Sequence, residues 1–273
     1  MQIITIYQGA SGSGEELAAA VAQSLGYGCV SREVLVEASV QYGIPEVKLT
    51  EILDREPTWW ASFTRNLEPY RIALQAAFCQ VARERDIVYH GHIGHELMPK
   101  FQHVIKVLLT APLELRIAQV RERHTLDEEG ARRYVEEIDK ARTRRLQELF
   151  GKDWRDASRY DLVVNLGHMN LATAKHLIVE TARAPEYQMT SASKQAFEDF
   201  ALASRVRATL RLTHDLSHAR VDIKANQGEI SISGTIPYWV SETDIVEQIQ
   251  KIPGVKDVKA DLATLYTDMS LMG

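Results

Sequence analysis

A glycine-rich turn set between an apolar run and a helical pattern constrains this chain more than any other feature. Ile3-Ile4-Thr5-Ile6-Tyr7 reads as a buried strand and Gly9-Ala10-Ser11-Gly12-Ser13-Gly14 as the turn, while Leu17, Val21 and Leu25 share one face of the helix that follows. In a strand–turn–helix context such a turn aims backbone N–H groups at an anion, and the helix N-terminus adds a partial positive charge. The spacing then asks for Lys at position 15 and Ser or Thr at 16, but Glu15 and Glu16 stand there. Gly9, Ser11, Gly12, Ser13, Gly14, Glu15 and Glu16 are therefore the candidate anion-binding loop, with its central cation and hydroxyl replaced by carboxylates.

Up to about residue 182 the chain alternates short apolar runs with helical periodicity. Ile3–Tyr7, Ile87–Tyr89, Val104–Leu109 and Leu162–Leu166 read as strands, with a short one at Gly28–Val30. Helical stretches include Leu67–Arg85, Leu113–Arg123, Leu126–Phe150 and Leu171–Ala182. Strands separated by helices predict an α/β fold, with a mainly parallel sheet covered on both faces. Thr125 with Glu128 three residues on predicts a capping box at the start of the long helix. The apolar face of that helix would run through Ala131, Tyr134, Val135, Ile138, Ala141 and Leu149.

Residues 183–194 (RAPEYQMTSASK) lack periodicity and read as a linker between a first domain, 1–182, and a second, 195–273. The second opens with a helix at about Gln195–Leu212. Alternating strands Ala219–Lys224 and Glu229–Gly234 then flank a three-residue turn, Asn226-Gln227-Gly228. A helix at about Glu242–Ile252 and the alternating Val255, Val258 and Ala260 complete a small α+β module.

Formal net charge is −5, which gives no global attraction to nucleic acid or an anionic membrane. The N-terminus enters a strand with no charged-then-apolar leader, and Cys29 and Cys79 are too few for a disulfide framework. The expectation is a cytoplasmic protein.

Leu115-Arg116-Ile117-Ala118-Gln119-Val120-Arg121-Glu122-Arg123, then Asp139-Lys140-Ala141-Arg142, Gly151-Lys152-Asp153-Trp154 and Tyr160-Asp161-Leu162-Val163-Val164-Asn165 carry a resemblance to the cytidylate-kinase-like branch of the nucleoside monophosphate kinases. It covers roughly residues 1–182 and implies a five-stranded parallel sheet, ATP and Mg²⁺ as cofactors, and lid arginines that stabilise the transferring phosphoryl group. The catalytic candidates it implies are Arg142, Arg121 and Asp139, with Arg144 and Arg145 beside them. A solvated helix face paired with Glu136 and Glu137 is the plainer reading of the same run. Gly91 resembles the family's Gly-Arg-Gly turn, with His92 where Arg is expected, and Ser31-Arg32-Glu33 matches a stretch where relatives show Asp-Arg-Glu. Arg32 and His92 are accordingly the acceptor-side candidates.

His90, His92 and His95 could hold Zn²⁺, or could simply cap strand and turn. Trp59, Trp60 and Phe63 suit base stacking, a subunit interface of a homo-oligomer, or ordinary core. Gly228-x-Ile230-x-Ile232-x-Gly234 and Pro253-Gly254-Val255-x-x-Val258 resemble a BON domain over roughly 200–264, which implies a lipid or other ligand. Tyr238-Trp239 is its exposed aromatic candidate for lipid or protein. Eight Lys/Arg against nine Asp/Glu over 205–273 give no electrostatic docking to a membrane.

Two function classes follow. One is a degenerate kinase that binds a nucleotide or another small anionic ligand and couples to the BON-like domain; the other is an active kinase moving the ATP γ-phosphate to CMP or a similar acceptor. Glu15, Glu16 and His92 each remove a part that phosphoryl transfer relies on, which favours the first.

Overall fold

The computed structural model describes residues 1–8, 13–54, 67–213 and 219–265. The chain divides into two compact units, Met1–Ser193 and Lys194–Gly273.

In the first unit the strands are β1 (Ile3–Gln8), β2 (Gly28–Val30), β3 (Ile87–His90), β4 (Val104–Thr110) and β5 (Leu162–Asn165). They form one parallel sheet in the order β2-β3-β1-β4-β5. β1 is central, and Ile3, Ile4, Ile6 and Tyr7 are almost wholly buried. A strand covered on both faces has no solvent side, which is why its sequence is a continuous apolar run and not an alternation.

Helices α1 (Ser13–Leu25) and α8 (Leu171–Arg183) place Leu17, Val21, Ala174 and Ile178 in a core cluster with Ile4, Ile6, Val88 and Val107. Preceding β3 are α2 (Glu33–Tyr42), α3 (Glu46–Asp54) and α4 (Glu68–Glu84), and the single-turn α5 (Gly94–Leu97) follows it. Two long helices, α6 (Leu113–His124) and α7 (Glu128–Phe150), join through Ile117, Val120, Ala131 and Val135. The far end of α7 sends Leu146 to a second cluster with Tyr7, Leu108, Trp154 and Tyr160.

The start of α7 differs from the capping-box expectation. Asp127, not Thr125, is the N-cap, and its carboxylate accepts the Gly130 N–H at 2.8 Å. Thr125 instead closes α6 in the left-handed region at φ 54°. Asp is as good an N-cap as Thr, and the two-residue shift lets one short connection end one helix and begin the next. Thr125→Gly is therefore expected to raise stability by about 1 kcal/mol, because a β-branched residue is strained in that region. Asp127→Ala should lower it by about the same amount. Urea unfolding of the two variants checks this; a loss on Thr125→Gly would restore Thr125 as the cap.

In the second unit, α9 (Ser191–Thr213) opens four residues before the expected Gln195 and lays Val206 and Leu210 on a three-stranded sheet. That sheet is β6 (Arg220–Asn226), β7 (Glu229–Pro237) and β8 (Asp257–Leu265), with β6 antiparallel and β8 parallel to β7. Helix α10 (Glu242–Gln250) makes the crossover that a parallel pair requires. The hairpin turn has two residues and not three, because Asn226 pairs with Glu229. Gln227 and Gly228, at φ 51° and 94°, are the positive-φ pair that a two-residue turn on twisted strands demands. The Gln227 N–H donates to Asp199 Oδ1 at 2.7 Å, which ties the turn to α9. No described helix is long and apolar enough to cross a membrane.

Candidate functional site

Parallel strands deliver their carboxyl ends to one edge, and ligands bind there in open α/β sheets. In the first unit that edge holds a cavity of about 270 Å³ lined by Gln8, Gly14, Arg32, Tyr89, His90 and His92 among others. Gly14 lies where the Gln8 side chain crosses the start of α1, and a Cβ would collide with it. Gly9, Ser11 and Gly12 lie outside the described residues, as do Trp59, Trp60 and Phe63. Ser13, Gly14, Glu15 and Glu16 form the first turn of α1, with both glutamates exposed.

Arg142 and His92, fifty positions apart in the chain, meet at this edge. The Arg142 guanidinium donates from Nη1 to the Gln8 carbonyl at 2.8 Å, and its Nη2 lies 3.1 Å from His92 Nε2. A guanidinium has only donors, so Nε2 must accept and the His92 proton must sit on Nδ1. That Nδ1 is buried without a hydrogen-bond partner among the described residues. Burial, then the positive charges of Arg142 and Arg145, hold the His92 pKa well below the ordinary value. His92 is therefore neutral, an acceptor on one side and an unused donor on the other.

The floor behind this pair is aromatic. Tyr7 packs edge-on to His92 and His95 at ring-centre distances of 6.1 and 4.7 Å, with Trp154 and Tyr160 beyond. Burial raises the Tyr7 phenol far above its normal range. Trp154 Nε1 donates to Thr143 Oγ1 at 2.9 Å, fixing the turn of α7 that carries Arg142. Glu96 on α5 pairs with Arg159, and both side chains are largely buried. His95 is buried and held neutral by desolvation, with Arg159 and Lys106 adding to the same direction.

Two carboxylates stand near His90 without lining the cavity. Glu15 and Glu33 act on His90, pulling its pKa upward against the larger lowering by burial. The same two carboxylates add to the burial that raises the Cys29 thiol. Glu33 Oε2 accepts the Ser31 N–H at 2.7 Å, and Arg32, exposed at the start of α2, faces the cavity.

The remaining candidates sit elsewhere. Asp139 is paired with Arg116, at 2.9 and 2.8 Å through its two oxygens. A carboxylate held this way serves to join α6 to α7. Arg121 lies in the last turn of α6, exposed, 3.7 Å from Glu128. No cluster of three metal-ligating side chains forms among the described residues, the three histidines included. The structure thus gathers Arg32, His92, Arg142 and Gly14 at one edge and leaves Arg121 and Asp139 in helix-to-helix ion pairs. Sequence reasoning missed Gln8, whose backbone carbonyl anchors Arg142. No residue type signals a carbonyl, so only the fold reveals it.

His92 and His95 carry a stability consequence. Both are buried neutral, with folded pKa values below the unfolded value, so the unfolded state takes up protons first as pH falls. Their contribution is present above about pH 6.5 and lost below it. The melting temperature is expected to fall from pH 7 to pH 5, and less steeply in His92→Gln.

Residues 3–168 match the family model described as the cytidylate kinase-like family, and residues 198–265 match the BON domain. The chain belongs to the cytidylate kinase-like family. Its five-stranded parallel sheet is that of a P-loop kinase-like core, and the separate three-stranded unit coincides with the BON match. Among curated proteins, a cytidylate kinase from Methanopyrus kandleri is 34% identical over 94 residues, 32% of this chain and 49% of that protein. One from Staphylothermus marinus is 28% identical over 99 residues, 36% of this chain and 55% of that protein. The chain thus spans about half the length of the curated relatives it matches. A solved protein from Eubacterium ventriosum superposes with a TM-score of 0.52 at 19% identity, over 67% of this chain and 98% of its own. That likeness concerns the fold alone. Membership in the family implies nucleotide and Mg²⁺ use in general, but the visible part of the loop fits Mg·ATP poorly. Its first helical turn offers two carboxylates where a cation and a hydroxyl would face the phosphates.

Proposed function

We propose that the protein is a degenerate cytidylate-kinase-like binder of a nucleotide or another small anionic ligand, with phosphoryl transfer reduced or lost, coupled to the BON-like domain. The observation that carries this reading is Arg142: the lid cation is bound to the Gln8 carbonyl and a neutral His92, while carboxylates occupy positions 15 and 16. Phosphoryl transfer is largely a matter of placing positive charge around the β- and γ-phosphates. An exposed glutamate beside a phosphate charge repels it by up to about 1 kcal/mol, where lysine would attract by a similar amount. In this reading Arg32 and Arg142 hold the anionic group of the ligand, with neutral His92 positioning Arg142. Arg121 and Asp139 support the α6–α7 pair, and a cytoplasmic location suits the ligand class.

Calorimetric titration tests the binding side. ATP is expected to bind weakly and with little dependence on Mg²⁺, and CMP to bind at least as well as ATP. Micromolar, Mg²⁺-dependent ATP binding would return the active-kinase reading to the front.

A further inference from the structure

The three-stranded sheet of the second unit runs β6-β7-β8, so β6 and β8 are its edges. An edge strand offers a row of N–H and C=O groups that only another strand or a cover can satisfy. The β6 edge is occupied at its middle, where Arg207 Nη2 donates to the Ile223 carbonyl at 3.2 Å. Its charges are also matched within the strand, since Lys224 lies 3.1 Å from Asp222. β8 has neither device. Among the described residues its backbone bonds to nothing beyond β7, and it runs for 9 residues without a proline.

The β8 side chains alternate. Val258, Ala260 and Leu262 pack against the second unit's core, while Asp257, Lys259 and Asp261 are exposed on the other face. Lys259 Nζ donates to Glu229 Oε2 on β7 at 3.0 Å. Asp261 sits opposite Ser233 and has no cationic partner among the described residues.

We propose that β8 is a self-association edge, pairing antiparallel with β8 of a second copy about a two-fold axis at Ala260. Opposed residues in an antiparallel ladder either both exchange hydrogen bonds or both do not, so a strand paired with its own copy must be centred on a residue. Opposite charges directly across a ladder favour the pair, and like charges oppose it. Centring on Lys259 or on Asp261 sets each of those charges against itself, and centring on Leu262 matches none. Centring on Ala260 sets Lys259 opposite Asp261 of the second copy, twice by symmetry, and Val258 opposite Leu262. The overlap runs over 257–263, longer than in the other charge-matched register, centred on Val258. An ammonium has three donors, so Lys259 bridges Glu229 of its own chain and Asp261 of the second copy. The core-facing row of Val258, Ala260 and Leu262 continues from one copy into the other.

Sedimentation velocity of the whole chain tests this from about 1 to about 200 μM, the range in which an interface of small area associates. The parent is expected to pass from monomer to dimer across that range. Asp261→Lys should raise the dimer dissociation constant about tenfold, because two symmetric pairs turn from attraction to repulsion. Lys259→Asp should act in the same direction. An equimolar mixture of the two variants should regain association, since every charge again faces its opposite across the ladder. Both side chains are exposed, and an unchanged melting profile verifies that each variant folds. In the parent, hydrogen exchange of the β8 amides should slow as concentration rises while that of β6 does not, a reading that needs no variant. A parent that stays monomeric, a dimer indifferent to Asp261→Lys, folded variants that fail to associate on mixing, or β8 exchange independent of concentration would overturn the proposal.

Discussion

Glu15→Lys is expected to tighten ATP binding by an order of magnitude or more, with Mg²⁺ dependence appearing where there was little. Glu15 is exposed in the first turn of α1, at the carboxyl end of β1. Solvent screening therefore reduces the several kcal/mol of an enclosed charge pair. An exposed ion pair contributes about 1 kcal/mol at most, and reversing a repulsion into an attraction roughly doubles that. About 2 kcal/mol corresponds to about thirtyfold in affinity. Calorimetry on the variant and the parent reads the change directly. An unchanged affinity would mean that position 15 does not face the phosphates, and the anion-loop reading of 9–16 would go with it.

Gly234→Ala is expected to destabilise the second unit by about 3 kcal/mol. Gly234 sits at φ 132°, opposite Val221 in the β6–β7 ladder, and a Cβ there would run into the Arg220 carbonyl oxygen and the Val221 Cα. Both obstacles are backbone, so relief requires the strands to part. Ser233→Ala, one residue away and exposed, should change stability by less than about 0.5 kcal/mol. Hydrogen exchange of the β6 and β7 amides separates this from effects on the first unit. Protection unchanged in Gly234→Ala would show that the strand accommodates a side chain there.

The same glycine illustrates what the sequence could reveal. Gly228-x-Ile230-x-Ile232-x-Gly234 announced a strand of period two, and Ile230 and Ile232 are indeed in the second unit's core. The parallel strands of the first unit were equally legible, because strands buried on both faces become continuous apolar runs. Helices α2 and α3 were less so. Val36, Val40 and Val47 are 46%, 78% and 68% exposed, and apolar residues on the wet side blur the helical period that marks a core face. At the join between α6 and α7, Thr125 read as the cap because Glu128 stands three residues on, and only the backbone geometry shows that Asp127 takes that position.

The candidate site was legible residue by residue and not as an arrangement. Arg142, His92 and Arg32 each stood out by type and position, yet no local pattern brings the middle of a long helix to the turn after β3. The sheet order does that, by setting β3 beside β1 so that His92 follows one strand end and Gln8 forms the other. Asp139 shows the converse. Three residues before Arg142 on the same helix, it turns to Arg116 and serves the helix pair.

In the proposed reading this family member binds its ligand without efficient phosphoryl transfer. Phosphorus NMR of the purified protein with ATP, Mg²⁺ and CMP tests it most directly. No CDP is expected to form above the background of ATP hydrolysis over hours. Turnover on the order of 1 s⁻¹ or faster, within the ordinary range for enzymes, would contradict it and identify Arg142 as a working lid cation despite Glu15 and Glu16.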